Sequence, residues 1–161
     1  PQVGLLAGTA VRFLLKRNIK SFALVPRLSA DAGEIAAVAM QSVVTSQYGI
    51  DKYKTKDKNE KTIENFVLCV EGADVNALNE GFSRGQIIGD SMNFTCDMCN
   101  EPANILHPTE MANRAQKMAK ETGLKCEILD EAKMRKLGMG SLLSVSQGSE
   151  QPPKMIVLRY E

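Results

Sequence analysis

DVNALNEGFSRGQIIGDSMNFTCDMC, residues 74–99, is the stretch on which the fold turns. Asp74 stands where a helix cap belongs, and Val75, Leu78, Phe82, Gly85, Gly89, Met92, Cys96 and Cys99 recur at spacings of three and four. That rhythm predicts one long helix with a continuous inward seam. Gly81, Gly85 and Gly89 add a column at spacing four. Each glycine costs about 1 kcal/mol relative to alanine inside a helix, so a neighbouring backbone is expected to lie close against the column.

Upstream, the order of elements is regular. Residues 3–17 place Val3, Leu6, Ala7, Ala10, Val11 and Leu14 on one helical face. Ser21–Val25 is a short strand candidate stopped by Pro26, which has no N–H to offer a ladder. Asp31 caps a second helix with Ile35, Val38, Ala39 and Val43 inward and Gly49 as its expected stop. The run DKYKTKDKNEK, residues 51–61, interleaves lysines with Asp51, Asp57 and Glu60 and reads as a solvated loop rather than a phosphate site. Phe66–Val70, apolar at every position, is expected to be a strand covered on both faces.

Downstream, Pro102 ends the long helix and Pro108 suits the first turn of another, with Met111, Ala112, Ala115, Met118 and Ala119 inward and Gly123 as its stop. Leu124, Cys126 and Ile128 alternate as a strand, and Asp130 caps a short helix that ends at Gly138. Leu142–Val145 and Met155–Tyr160 are predicted strands. Alternating helices and strands place the chain in the α/β class, with part of a parallel sheet.

The 161 residues, 43% hydrophobic and 24% charged, are ordinary globular material. No apolar run approaches the ~20 residues of a membrane span. A net charge of +1 provides no overall field for nucleic acid. Four cysteines, Cys69, Cys96, Cys99 and Cys126, are too few and too unevenly spaced for a disulfide scaffold and are read as reduced and intracellular.

Three features invite chemistry. Gly138 and Gly140 follow a helix, not a strand, and Leu143 occupies the third glycine position of a dinucleotide fingerprint, so the pair reads as a C-cap and a turn into a strand. Cys96 and Cys99 form a CxxC, but at a helix C-terminus, where the dipole raises a thiol pKa. Core packing is the preferred reading, with a zinc site completed by His107 and Cys126 as the alternative and a redox pair behind it. His107, the single histidine, precedes Pro108 and reads as a helix cap. No residue is assigned a catalytic, cofactor-binding or metal-binding role.

The second half carries a resemblance. NEPANILHPTEMA at 100–112, KCEILDE at 125–131 and LGMGSLLSVSQGSEQPPKMIVLRYE at 137–161 are similar to the leucyl aminopeptidase (cytosol aminopeptidase) family, with His107 where that family more often has Thr and Ser146 where it often has Gly. The resemblance implies a macro-domain-like, three-layer α/β domain over 1–73, a linker helix and loop over 74–107, and the start of a catalytic domain over 108–161. It also implies a cytoplasmic, homo-oligomeric (hexameric) parent enzyme that removes N-terminal residues from peptides with two divalent metals, zinc or manganese. The metal ligands are expected beyond Glu161, so this segment alone is expected to be inactive and metal-free. The first alternative is a nucleotide or ADP-ribose binding module with its ligand at strand ends. The second is a small structural zinc domain through Cys96, Cys99, His107 and Cys126.

Overall fold

Three of the helices begin at an aspartate, as their sequences predict. Asp31 accepts from the backbone N–H of Glu34 at 2.8 Å, Asp74 from that of Asn76 at 3.0 Å, and Asp130 from that of Lys133 at 2.8 Å. Each carboxylate satisfies an N–H left without a partner in the first turn and sits at the positive end of the helix dipole. The computed structural model describes residues 2–27, 30–58 and 61–161, so Glu60 lies outside the described residues. It divides into two units, Pro1–Asn100 and Glu101–Glu161.

The first unit runs α1 (Gln2–Lys16), β1 (Ser21–Leu24), α2 (Ala32–Ser46), β2 (Asn65–Leu68) and α3 (Val75–Cys99). β1 and β2 pair in parallel, with Ser21 opposite Asn65 and Leu24 opposite Leu68. Val3, Ala7, Val11 and Leu15 of α1 meet Ile35, Ala39 and Val43 of α2 in a core that also takes in Leu24, Phe22, Phe66 and Leu68 from the strands. The rings of Phe22, Phe66 and Phe82 continue that core onto α3, with centroids 5.0 and 5.7 Å apart. The other face of the sheet is open: Ala23 is exposed and Val67 is 53% exposed. The expectation that 66–70 is covered on both faces is therefore corrected. An all-apolar run does not distinguish a doubly covered strand from a strand with one wet face.

The helices α1, α2 and α3 run parallel, and glycine sets their spacing. A Cβ added at Gly81 would sit far inside contact distance of the Gly33 carbonyl, and one at Gly85 inside that of Ala37. Both pairs are separated by the same number of residues (81 − 33 = 85 − 37 = 48), so the two helices advance in step. The predicted glycine column is thus a true backbone approach. α1 meets the opposite flank of α2 in the same manner: Cβ atoms at Gly4 and Gly8 would lie 2.7 and 2.6 Å from the hydroxyls of Ser42 and Ser46. α2 itself ends at Ser46, before Gly49, with Gln47 as C-cap.

The second unit runs α4 (Pro108–Thr122), β3 (Lys125–Leu129), α5 (Glu131–Lys136), α6 (Gly140–Ser146) and β4 (Met155–Arg159). β3 and β4 pair antiparallel, Lys125 opposite Arg159, and the ion pairs Arg159–Glu127 and Lys125–Glu161 follow from that register. Ala112, Ala115 and Ala119 form the buried stripe of α4, which closes at Gly123 with φ 75°, a left-handed value that glycine adopts without steric cost. α5 also stops at a left-handed glycine, Gly138.

Residues 142–145 are helical, not a strand. Of this run only Leu143 is buried, against Leu129 and Met134, while Val145 is 84% exposed. One buried side chain per turn is what a short helix offers. A strand would have needed a neighbour for its backbone groups as well. Ser144 and Ser146 donate their hydroxyls to the carbonyls of Ser141 and Leu143, holding the turn locally.

Two glycine substitutions are expected to act with opposite sign. Gly85→Ala places its methyl against backbone atoms of Ala37, which have no rotamer to yield, and should destabilise by about 1–3 kcal/mol despite alanine's higher helix propensity. Gly140→Ala enters open space in α6 and should be neutral or stabilising by up to about 1 kcal/mol. Urea midpoints of the two variants measure both; an unchanged midpoint for Gly85→Ala would show that α2 and α3 separate freely.

Candidate functional site

Of the residues nominated by sequence, Cys96 and Cys99 lie on one element of the first unit, α3, and the others belong to the second unit. Cys96 and Cys99 occupy the last turn of α3 and are exposed, which corrects the core-packing expectation. The physical reason is length. With the helices in step, position 96 of α3 matches position 48 of the chain, and α2 has already ended at Ser46. Beyond that point α3 is held by polar contacts: Tyr48 donates its hydroxyl to Asp97 at 3.0 Å, and Asn100 donates its amide to the Tyr48 oxygen at 3.1 Å.

In the second unit, His107 takes the N-cap position of α4, as its place before Pro108 predicts, but its side chain makes no cap hydrogen bond. Its Nδ1 is buried without a partner among the described residues. Cys126 is half-buried in β3. No group of three or more His, Cys, Asp or Glu that could hold a metal ion stands together among the described residues.

The organised polar cluster of this unit was not anticipated. Arg114, on the inner half of α4, donates from Nη1 to Glu101 at 2.9 Å and from Nε to Glu110 at 2.8 Å. The Glu101 carboxylate is 1% exposed, so its charge depends on that guanidinium. The hydrogen bond from Arg114 also lowers the Glu110 carboxyl below its ordinary value, and the two carboxylates, Glu110 first, raise Arg114. The i, i+4 spacing of Glu110 and Arg114 was visible in the sequence; the thirteen-residue reach to Glu101 had no local signal. The cluster fixes the loop Glu101–His107 onto α4. It holds no nucleophile beside a base, and its carboxylates are occupied by the arginine.

The glycine pair is settled by geometry. Gly138 ends α5 and Gly140 begins α6, a six-residue and a seven-residue helix, so the segment punctuates two short elements and forms no phosphate cradle after a strand. The turn leads into a helix rather than the predicted strand.

Comparison with known proteins identifies the lineage. Residues 93–161 match the catalytic domain of the cytosol aminopeptidase family. The chain is 43% identical over 155 residues to a probable cytosol aminopeptidase of Solibacter usitatus, covering 96% of this chain and 32% of that protein. It is 40% identical over 131 residues to the cytosol aminopeptidase of Pseudomonas aeruginosa, covering 81% and 26% respectively. The chain therefore spans between about a quarter and a third of the length of the curated relatives it matches. Among solved structures, the bottromycin maturation enzyme BotP in complex with Mn superposes with a TM-score of 0.82 at 22% identity, over 99% of this chain and 33% of BotP. That likeness shows a shared α/β fold. The chain belongs to the cytosol aminopeptidase family, as its second half resembles.

Two outcomes are expected from these placements. Cys96 and Cys99 should react with a thiol reagent in the folded protein, and the double Cys→Ala variant should lie within about 0.5 kcal/mol of the parent, because neither side chain is buried. Thiol titration without denaturant, beside a urea melt, measures both. The Glu110 carboxylate, with its folded pKa depressed, stabilises fully above the ordinary value of 4.5 and loses its contribution as pH falls through the depressed value. Arg114 stays charged throughout that window. Stability followed from about pH 5 to about pH 3 should fall less steeply in Glu110→Gln than in the parent.

Proposed function

We propose that this chain is the amino-terminal third of a metal-dependent aminopeptidase that removes N-terminal residues from peptides, and that it serves as scaffold rather than as the source of metal ligands. The observation that carries the reading is 43% identity across 96% of the chain to a probable cytosol aminopeptidase. The family match at 93–161, labelled as catalytic domain, supports it from a second direction. BotP is bound to Mn in its solved structure, which supports a divalent metal in the parent enzyme.

A pair of divalent metals polarises a scissile carbonyl and lowers the pKa of a bound water. The residues present here do not fit such a pair, since no group of three potential ligands stands together among the described residues. No step of hydrolysis is therefore assigned to them. Their part is structural: Arg114 anchors the loop Glu101–His107, and β3 and β4 pair in a register that brings Arg159 to Glu127 and Lys125 to Glu161. A cytoplasmic location and a homo-oligomeric, hexameric parent acting on peptides belong to this proposal. No helix among the described residues is long and apolar enough to cross a membrane.

The 161-residue chain is expected to show no release of leucine from a leucine anilide with zinc, manganese or cobalt, while its circular dichroism reports folded helix. Turnover that persists after repeated purification, and that vanishes with a chelator, would overturn the scaffold reading.

A further inference from the structure

The first unit holds a cleft of about 800 Å³ between the C-terminal halves of α1 and α2. That is the size of a small-molecule site. Arg12, Phe13, Lys16, Arg17, Tyr48 and Lys61 are among its lining residues, and none of the described residues that line it is acidic. Arg12 and Lys16 are one helical turn apart on α1, with Phe13 beside them.

The ordinary account of such cations is that they offset the negative ends of helices. It explains part of the arrangement: Arg17 donates to the Phe13 carbonyl at 3.4 Å and Lys61 to the Lys16 carbonyl at 3.4 Å. It also covers Lys16, which stands in the last turn of α1, but it does not explain Arg12, a full turn further back, whose guanidinium reaches the Ser46 hydroxyl at 3.5 Å. Three other cations of this unit pair with carboxylates, in Lys20–Glu64, Lys54–Asp51 and Arg84–Glu34. Arg12, Lys16 and Arg17 have no carboxylate partner among the described residues. Unmatched cations brought together in one concavity raise the local concentration of anions.

The cleft also offers a ring. Phe13 is 53% exposed, and the Arg17 guanidinium lies 3.6 Å from its centroid, making a flat apolar and cationic platform beside the charges. A bare phosphate has no use for that platform, whereas a nucleobase stacks on one. We propose that this cleft binds a nucleotide, its polyphosphate held by Arg12, Lys16 and Lys61 and its base lying against Phe13. The site is at the ends of helices, not at the strand ends where the sequence reading placed a nucleotide. The proposal does not depend on peptidase activity.

Titration calorimetry of the intact chain with ATP, in magnesium-free buffer, tests it. ATP is expected to bind, and the Arg12→Gln, Lys16→Gln double variant to bind at least about tenfold more weakly, while Lys133→Gln on α5 removes the same kind of charge without effect. Phe13→Ala should weaken ATP several-fold and leave inorganic tripolyphosphate unchanged. Circular dichroism and thermal melts confirm that each variant is folded, and Lys16→Gln alone serves if the double variant is not. No heat with millimolar ATP, or equal binding by the parent and a folded charge variant, would overturn the site. Tripolyphosphate and ATP binding alike, with Phe13→Ala silent, would overturn the nucleotide assignment, as would a single-stranded oligonucleotide that displaces ATP and binds far more tightly.

Discussion

The first unit is organised by how closely its central helix lets its neighbours approach. α2 reads AGEIAAVAMQSVVTS, and its small residues expose backbone on two flanks. α3 sets Gly81 and Gly85 against the carbonyls of Gly33 and Ala37, and α1 sets Gly4 and Gly8 against Ser42 and Ser46. Such approaches allow Cα–H contacts to carbonyl oxygen worth about 0.5–1 kcal/mol each, and dense dispersion contact besides. Both glycine columns climb in step with α2, so all three helices point the same way. The single crossing from β1 through α2 to β2 returns the chain to the same end of the sheet, and the two strands pair in parallel.

That constraint also separates what could be read in advance from what could not. Caps were legible because an aspartate acts within its own turn, as Asp31, Asp74 and Asp130 do. The column at Gly81, Gly85 and Gly89 was legible because three glycines within one helix demand a reason. Gly4 and Gly8 carry the same signal at the same spacing, but in a helix whose apolar face was already accounted for by Val3, Ala7 and Val11. The error at Cys96 and Cys99 has a different origin. Periodicity describes one helix and contains no information on where its partner stops, and α2 stops first.

The second unit shows the limit for short elements. Leu142, Leu143, Ser144 and Val145 fit a strand and a helix equally well, since four residues span less than a full period of contrast. In the folded chain Leu143 is the side chain of this run that packs on Leu129 and Met134, residues outside the run itself. The Glu101–Arg114 contact was invisible for the same reason. It joins a loop to a helix, and only the folded chain brings them within 2.9 Å.

Charge gives the same lesson in another form. Twenty basic and nineteen acidic residues sum to +1, and that sum correctly describes the far field of the chain. It says nothing about how the charges are shared out. α1 contains Arg12 and Lys16 and no carboxylate, while Glu34, Glu64 and Asp51 are drawn into ion pairs with Arg84, Lys20 and Lys54. Each pair formed elsewhere leaves α1 with its charges unanswered. A nearly neutral composition therefore coexists with a cationic concavity, and the concavity follows from which helices acquired their acidic partners and which did not.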